Sequence, residues 1–273
     1  MSGERNPVGA RSRGATWLAA LTGDAPPCAG FPASVRVVDG SLGDAPCRYV
    51  AVLPDAENPY PRARTGEVGL VEGWALAKAV HDAIEADRAG PRRAIVAVVD
   101  VSSQAYGRRE EAFGIHQALA GAAGAYAQAR LAGHAVIALI VGKAMSGAFL
   151  AHGYQANRII ALNDPGVLVH AMGKAAAARV TMRSVDDLER LAAAVPPMAY
   201  DIGSFATLGL LWKMLDVGDA DRPSGADVEH ARGTLVDALR SIRADKGTDL
   251  CGRLGGANRQ ASSAVRAKLR AQW

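Results

Sequence analysis

Short apolar runs alternate along this chain with longer stretches in which apolar residues return every three or four positions. The two periods predict strands and helices in turn. SVRVVDG, Ser34 to Gly40, alternates as a half-buried strand does and ends in a turn, and CRYVAVLP, Cys47 to Pro54, is a second strand. The Pro-, Asn- and Arg-rich DAENPYPRARTGEVG reads as a loop. From Gly69 to Gly90, Leu70, Trp74, Ala77, Val80 and Ile84 fall near helical spacing, and a Gly-Pro pair ends the run. RRAIVAVVDVSS predicts a strand buried on both faces, Ala94 to Val99, ending in Asp100. One Ala-rich helix is expected from about Arg108 to Leu131, closing at Gly133, then a buried strand from His134 to Val141 and a helix starting near Ser146. RIIAL (Arg158 to Leu162) is a short strand, NDPG (Asn163 to Gly166) a turn, and VLVH stays extended. Gly173 and Lys174 open an Ala-rich helix, and further helices are expected at Val185 to Val195, Tyr200 to Leu215, Asp227 to Ala244, and Asn258 to the C-terminus. At the other end Thr16 caps a short helix, TWLAAL, that stops at Thr22-Gly23, and Met1 to Arg13 are expected to be frayed.

Strands alternating with helices of this length imply βαβ units and a parallel sheet, an α/β class in which ligands bind at the carboxyl ends of strands. Three such ends carry polar or glycine-rich loops: DVSSQAYGRREE, VGKAMSGAF and NDPGVLVHAMGKAAA. Composition agrees with packed helices over a parallel sheet, since 49% of residues are hydrophobic and only 5% aromatic. A net charge of +4, with most basic residues interleaved with acids, gives no footprint for nucleic acid. After Asp249 no acid occurs, while Arg253, Arg259, Arg266, Lys268 and Arg270 follow. This is either a solvated helix end or a docking surface for an acidic or phosphorylated partner. Cys28, Cys47 and Cys251 are scattered, which argues against a disulfide framework or a zinc site and fits a reducing cytoplasm. No apolar stretch reaches the roughly 18 residues of a membrane span, and the N-terminus has no secretory pattern.

Several familiar sites are absent. No GxGxxG follows a strand, no GxxxxGK[ST] occurs, and Ser146 in KAMSGA misses the first glycine of a GxSxG elbow. His116, His134, His152 and His170 form no metal-ligand pair, and His134 and His152 read as structural. What remains is backbone. A turn from buried strand to helix exposes amides with no partner inside the helix, and Gly147 would let a substrate oxygen approach its own amide and that of Ala148. The helix dipole favours an anionic oxygen there, so the turn is either an oxyanion hole or a packing device. Ser102, Ser103 and Gln104 offer neutral donors for a carboxylate, or a helix cap. Met172 and Gly173 complete a pocket wall or merely pack. Arg108, Arg109, Glu110 and Glu111 read as a solvated first turn. Asp100 is either an acid or base, or a strand-end carboxylate bonded to loop amides.

These loops, with VPPMAYDIGSFATLGLL, resemble the carboxyltransferase branch of the crotonase superfamily, and most narrowly the γ subunit of biotin-independent malonate decarboxylases. The likeness is dense from about Ile95 to Leu215, and SQAYGRREE with VGKAMSGAFLAHGYQANR is its specific part. It implies one ClpP/crotonase-like domain over residues 1–273, a parallel sheet of ββα units flanked by helices. It also implies a homologous β subunit facing this one across a shared site. The substrate implied is a malonyl thioester on an acyl carrier protein whose arm derives from dephospho-coenzyme A. Loss of CO₂ leaves an acetyl thioester, exchanged for malonate on a separate transferase (α) subunit. No cofactor is expected on this chain, and biotin is not expected.

The implied chemistry generates an enolate, so an oxyanion hole on the thioester oxygen stabilises the transition state, and a second can orient the departing carboxylate in a poorly hydrated slot. In related carboxyltransferases the β-like half holds the enolate, and the γ-like half holds the biotin ureido oxygen through amides of a KAxGGA turn. The matching donors here are Gly147 and Ala148. Ser146 stands where the first glycine would be, and Asp100-Val101-Ser102-Ser103 replaces an Asp-x-Pro-Gly loop. Both departures count against biotin and suit contact between the malonyl carboxylate and Ser102, Ser103, Gln104 or Ser146. The alternatives are a carboxyltransferase subunit serving biotin and a non-catalytic scaffold. A stand-alone enoyl thioester hydratase would need a strand-end glutamate, and Glu110 and Glu111 are expected to face solvent.

Overall fold

The computed structural model describes residues 12–245 and 249–273. In its seven-stranded sheet β1 (Val35–Leu42), β2 (Ala45–Val52), β3 (Ala94–Val101), β4 (Val136–Met145), β5 (Arg158–Leu162) and β7 (Lys213–Leu215) lie side by side in that order, with β6 (Leu168–His170) paired to the far end of β4. β1 and β2 form an antiparallel hairpin, and every later pair is parallel. β3 and the first seven residues of β4 are almost wholly buried, as continuous Val, Ile, Leu and Ala runs require. α2 (Leu70–Ala86) and α4 (Ile115–Leu131) pack on each other, while α1 (Arg13–Thr22) and α9 (Gly225–Ala244) pack together and against the sheet.

β4 runs four residues beyond the expected Val141, and it can do so because its neighbour changes. Ile137 to Ile140 pair with β5 (Arg158–Leu162), and Lys143 to Met145 pair with β6 (Leu168–His170), the extended VLVH segment. That register sets His170 opposite Met145, one residue before the Ser146 turn.

Four expectations are corrected. The first helix is capped by Ser12, whose side chain accepts from the Ala15 amide, and not by Thr16, which lies inside it. Arg13, expected in the frayed end, opens α1 and ion-pairs with Asp164 (2.6 Å) and Asp221 (2.7 Å); residues 1–11 lie outside the described residues. The single helix from Arg108 is two, α3 (Arg108–Ala112) and α4, because Gly114 adopts φ 79° between them. The helix expected over Tyr200 to Leu215 is only α8 (Ile202–Ala206). Gly209 turns the chain at φ 75°, and Lys213–Leu215 becomes strand β7 on the edge of β5. α5 (Ser146–Ala151), α6 (Lys174–Thr181), α7 (Val185–Ala194) and α10 (Gln260–Gln272) lie where expected.

The basic C-terminal segment divides. α10 has no buried residue, whereas Arg253 is buried and donates to the carbonyls of Tyr154 (2.6 Å) and Ala156. Burial pushes its pKa down to about 10.

Candidate functional site

β3 and β4 end side by side, and their loops are tied together. Asp100 accepts from the amides of Gly14 and Lys143, both at 3.1 Å, which makes it a strand-end carboxylate bonded to backbone. Past it, Val68 and the 103–105 segment exchange backbone hydrogen bonds (Val68 N–H to Ser103 O, 3.0 Å; Ala105 N–H to Val68 O, 2.9 Å), so Gln104 projects from a fixed backbone. The Ser103 hydroxyl donates to the Gln104 carbonyl (2.7 Å). The Ser102 hydroxyl is buried without a hydrogen-bond partner among the described residues.

At the end of β4, Ser146 takes φ 60°, a left-handed conformation that costs a residue with a Cβ roughly 1–2 kcal/mol. The turn aims two donors at one oxygen. The Gly147 amide donates to Gln104 Oε1 at 2.7 Å, and the Ser146 hydroxyl donates to the same atom at 3.2 Å. Two donors can meet only the carbonyl oxygen of a carboxamide, which fixes the amide's orientation and leaves Nε2 as the group free to meet a ligand. A Cβ on residue 147 would lie 2.2 Å from Oε1, so Gln104 sits where only a glycine permits it.

The expected oxyanion donors are therefore placed differently from one another. Gly147 borders a cavity but its amide is engaged by Gln104, whereas Ala148 is fully buried beneath the turn. The cavity holds about 520 Å³ and is bounded by Gln104, Ser146 and Gly147 on one side and by Phe149, Tyr154 and Phe205 on another. Ser102 and Ser103 do not border it. Met172 and Gly173 stand just outside, and their neighbours His170 and Ala171 line it instead. Among the described residues no carboxylate, lysine or arginine lines this space, so a negative charge inside it would meet neutral donors and aromatic walls. Glu110, expected in solvent, is buried beside Gly107, but neither it nor the exposed Glu111 reaches the cavity.

His170 was passed over on the sequence, because nothing near it forms a ligand pair. The signal was its place in an extended segment running beside the end of β4. Its ring stacks on Tyr200, with centroids 3.9 Å apart and planes 14° from parallel, and its Nδ1 lies 3.0 Å from the Met172 carbonyl, which also accepts from the Tyr200 hydroxyl at 2.8 Å. The Met172 amide also lies 3.3 Å from Nδ1, so both backbone groups of Met172 engage that nitrogen. Burial lowers the pKa of the ring from its ordinary value, with the Met172 hydrogen bond opposing. His134 and His152, read as structural, are so: His134 bonds the Arg93 carbonyl, and His152 is fully buried between Tyr126 and the Val98 carbonyl.

No group of His, Cys, Asp or Glu among the described residues is arranged to hold a metal ion, and no helix among them is long and apolar enough to cross a membrane.

The sheet with its paired strand-end loops has the fold of the crotonase-type carboxyltransferases. Transcarboxylase 12S superposes with a TM-score of 0.62 at 19% identity, over 81% of this chain and 39% of that one. Far nearer are two Pseudomonas structures. A malonate decarboxylase hetero-tetramer in complex with coenzyme A is 65% identical, with a TM-score of 0.92 over 96% of this chain and 100% of that one. An MdcD-MdcE hetero-dimer is 62% identical, with a TM-score of 0.89 over 96% and 99%. The malonyl-S-ACP:biotin-protein carboxyltransferase MADD of Malonomonas rubra is 32% identical over 219 residues, 78% of this chain and 72% of that protein. The family model for the malonate decarboxylase gamma subunit matches residues 63–273. The chain belongs to the malonate decarboxylase gamma subunit family.

Proposed function

We propose that this chain forms the γ half of a decarboxylating site completed by a homologous β subunit. The substrate is a malonyl thioester brought by an acyl carrier protein on a dephospho-coenzyme A-derived arm, and the products are CO₂ and the acetyl thioester. A separate α transferase subunit reloads the carrier with malonate, in the cytoplasm and without biotin. The assembly of the Pseudomonas relatives as hetero-dimer and hetero-tetramer supports the pairing.

The observation that carries this reading is the Gln104 carboxamide held on the Gly147 amide. Where a carboxyltransferase offers such an amide to a ureido oxygen, this chain fills it with a carboxamide oxygen of its own. That occupancy argues for a site that works without biotin. It also turns the Gln104 NH₂ into a neutral, oriented donor for the malonyl carboxylate. A fixed cation would hold the carboxylate charge in place, whereas a neutral donor beside aromatic walls orients the group and lets its charge flow into the enolate as the C–C bond breaks. The enolate oxygen then belongs to donors of the β subunit, with the Gly147 and Ser146 donors acting through Gln104.

The test is malonyl-carrier turnover by the purified βγ complex. Gln104→Ala and Ser146→Ala should each lower turnover, Gln104→Ala by about 10²-fold as for loss of one oxyanion-type donor, with avidin having no effect on the wild type. Unchanged turnover per assembled complex would sink the reading in favour of a scaffold role. The Malonomonas rubra relative favours a second reading, transfer of the carboxyl group to biotin; inhibition by avidin would support it.

A further inference from the structure

We propose that His170 is the catalytic acid that protonates the enolate left by CO₂ loss. The inference rests on the decarboxylating role assigned above to the Gln104–Gly147 turn.

Loss of CO₂ from a malonyl thioester consumes one proton per turnover. The bond from the α-carbon to the carboxyl carbon breaks, its electron pair stays on the α-carbon and thioester oxygen, CO₂ departs, and a proton must join the α-carbon to give the acetyl group. The proton needs a carrier that reloads from water near neutral pH. Among the described side chains that border the cavity, His170 is the imidazole, the kind of group that titrates near neutrality. The proton also has to arrive at the right place. Register pairing of His170 with Met145 puts the ring on the strand beside the Ser146-Gly147 turn, facing the same cavity as Gln104.

The surroundings give this ring a defined cycle. Nδ1 is engaged by the Met172 backbone, 3.0 Å from its carbonyl and 3.3 Å from its amide, and stacking on Tyr200 fixes the plane, which leaves Nε2 as the nitrogen that gains and loses a proton. Nε2–H of the imidazolium donates to the α-carbon, the ring returns to the neutral Nδ1–H form, and solvent restores the proton. Burial favours the neutral ring in the chain alone, and an entering carboxylate would favour the imidazolium, so the proton is taken up as the substrate arrives. The charged groups around the ring are few. Lys174, at the head of α6, lies 5.5 Å from the Tyr200 ring and is paired with Glu189 of α7 at 2.7 Å, while Asp201 follows Tyr200 and bonds the Ser204 amide. None of them makes a hydrogen bond to His170 among the described residues.

The experiment separates bond breaking from protonation in the βγ complex. With His170→Gln, net formation of acetyl carrier should fall by about 10² or more, as for loss of a general acid, while exchange of labelled CO₂ into malonyl carrier persists because the enolate still forms and is recarboxylated. Added imidazole should partly restore net turnover to His170→Ala. Gln104→Ala, by contrast, should lower exchange and net turnover together; if it lowers neither, the role of the turn fails while the His170 result still stands on its own. Net turnover by His170→Gln within about threefold of wild type, or exchange falling in step with it, overturns the proposal. If the variants do not assemble, wild-type turnover against pH decides: a limb descending with rising pH, from loss of the imidazolium, supports His170, and a flat profile overturns it.

Discussion

At the residue scale, Ser146 carries two opposing loads. Its left-handed backbone is a conformation glycine adopts without cost, and its hydroxyl reaches Gln104. Ser146→Gly removes the strain and the contact together. Its expected outcome is a complex about 1 kcal/mol more stable to urea, partly offset by the added freedom of the unfolded chain, and slower in malonyl-carrier turnover. A variant that gains stability with turnover intact would make the serine a tolerated substitute for glycine and nothing more. This residue also marks how far sequence reasoning reaches. The turn, and the choice of Gly147 as its pivot, were legible because a buried apolar run breaks into small residues there. That Gln104, forty-three residues earlier, would occupy the Gly147 amide was not, because the contact depends on two strand ends meeting in register. Met172 and Gly173 lie just outside the cavity for the same reason: the sequence locates the loop, and only the pairing of β6 with β4 places His170 on the cavity wall.

At the scale of elements, the buried central strands were the most legible parts, since β3 and β4 allow no other reading of their continuous apolar runs. Helix starts were less so. Ser12 was overlooked as a cap, and Ser224, three residues before Asp227, forms a capping box that starts α9 two residues before the expected Asp227. The plain error was the segment from Tyr200 to Leu215, where leucines at helical spacing hid a short helix, a turn and an edge strand. The turn depends on Gly209: at φ 75°, an added Cβ would sit 2.7 Å from the Gly256 amide nitrogen. Gly209→Ala therefore meets both backbone strain and a clash with the C-terminal segment. It should cost well over 1 kcal/mol in equilibrium unfolding, whereas the control Gly233→Ala in α9, whose added Cβ meets nothing, should stabilise the fold by about 0.4–1 kcal/mol. Equal effects would mean that the 249–259 segment yields easily and does not hold β7 in place.

For the whole molecule, the central sheet and the site share one support, His152. It follows α5 directly, and its ring is fully buried, accepting at Nδ1 from the Tyr126 hydroxyl (3.0 Å) and donating from Nε2 to the Val98 carbonyl (3.1 Å). That pattern suits the neutral ring alone, and burial lowers its pKa to about 4. A histidine with a folded pKa below its unfolded value near 6.5 adds stability that is fully present above about pH 6.5 and is lost as the pH falls towards 4. Unfolding across that window should take up close to one extra proton, and the fold should lose up to about 3 kcal/mol from this group. Because the ring ties α4, through Tyr126, to β3, the strand that carries Asp100, acid should loosen the βγ complex and the Gln104–Gly147 turn together. Urea titrations of the complex at pH 7.5 and 5 check this, with His152→Gln as the comparison. The variant, weaker at pH 7.5 because it lacks a matched ring, should show a shallower loss between the two. If its stability falls as steeply as the wild type's, His152 is not the source of acid sensitivity in this window, and neither are the arginine-paired Asp39 and Asp87, whose lowered pKa values place their loss below about pH 4.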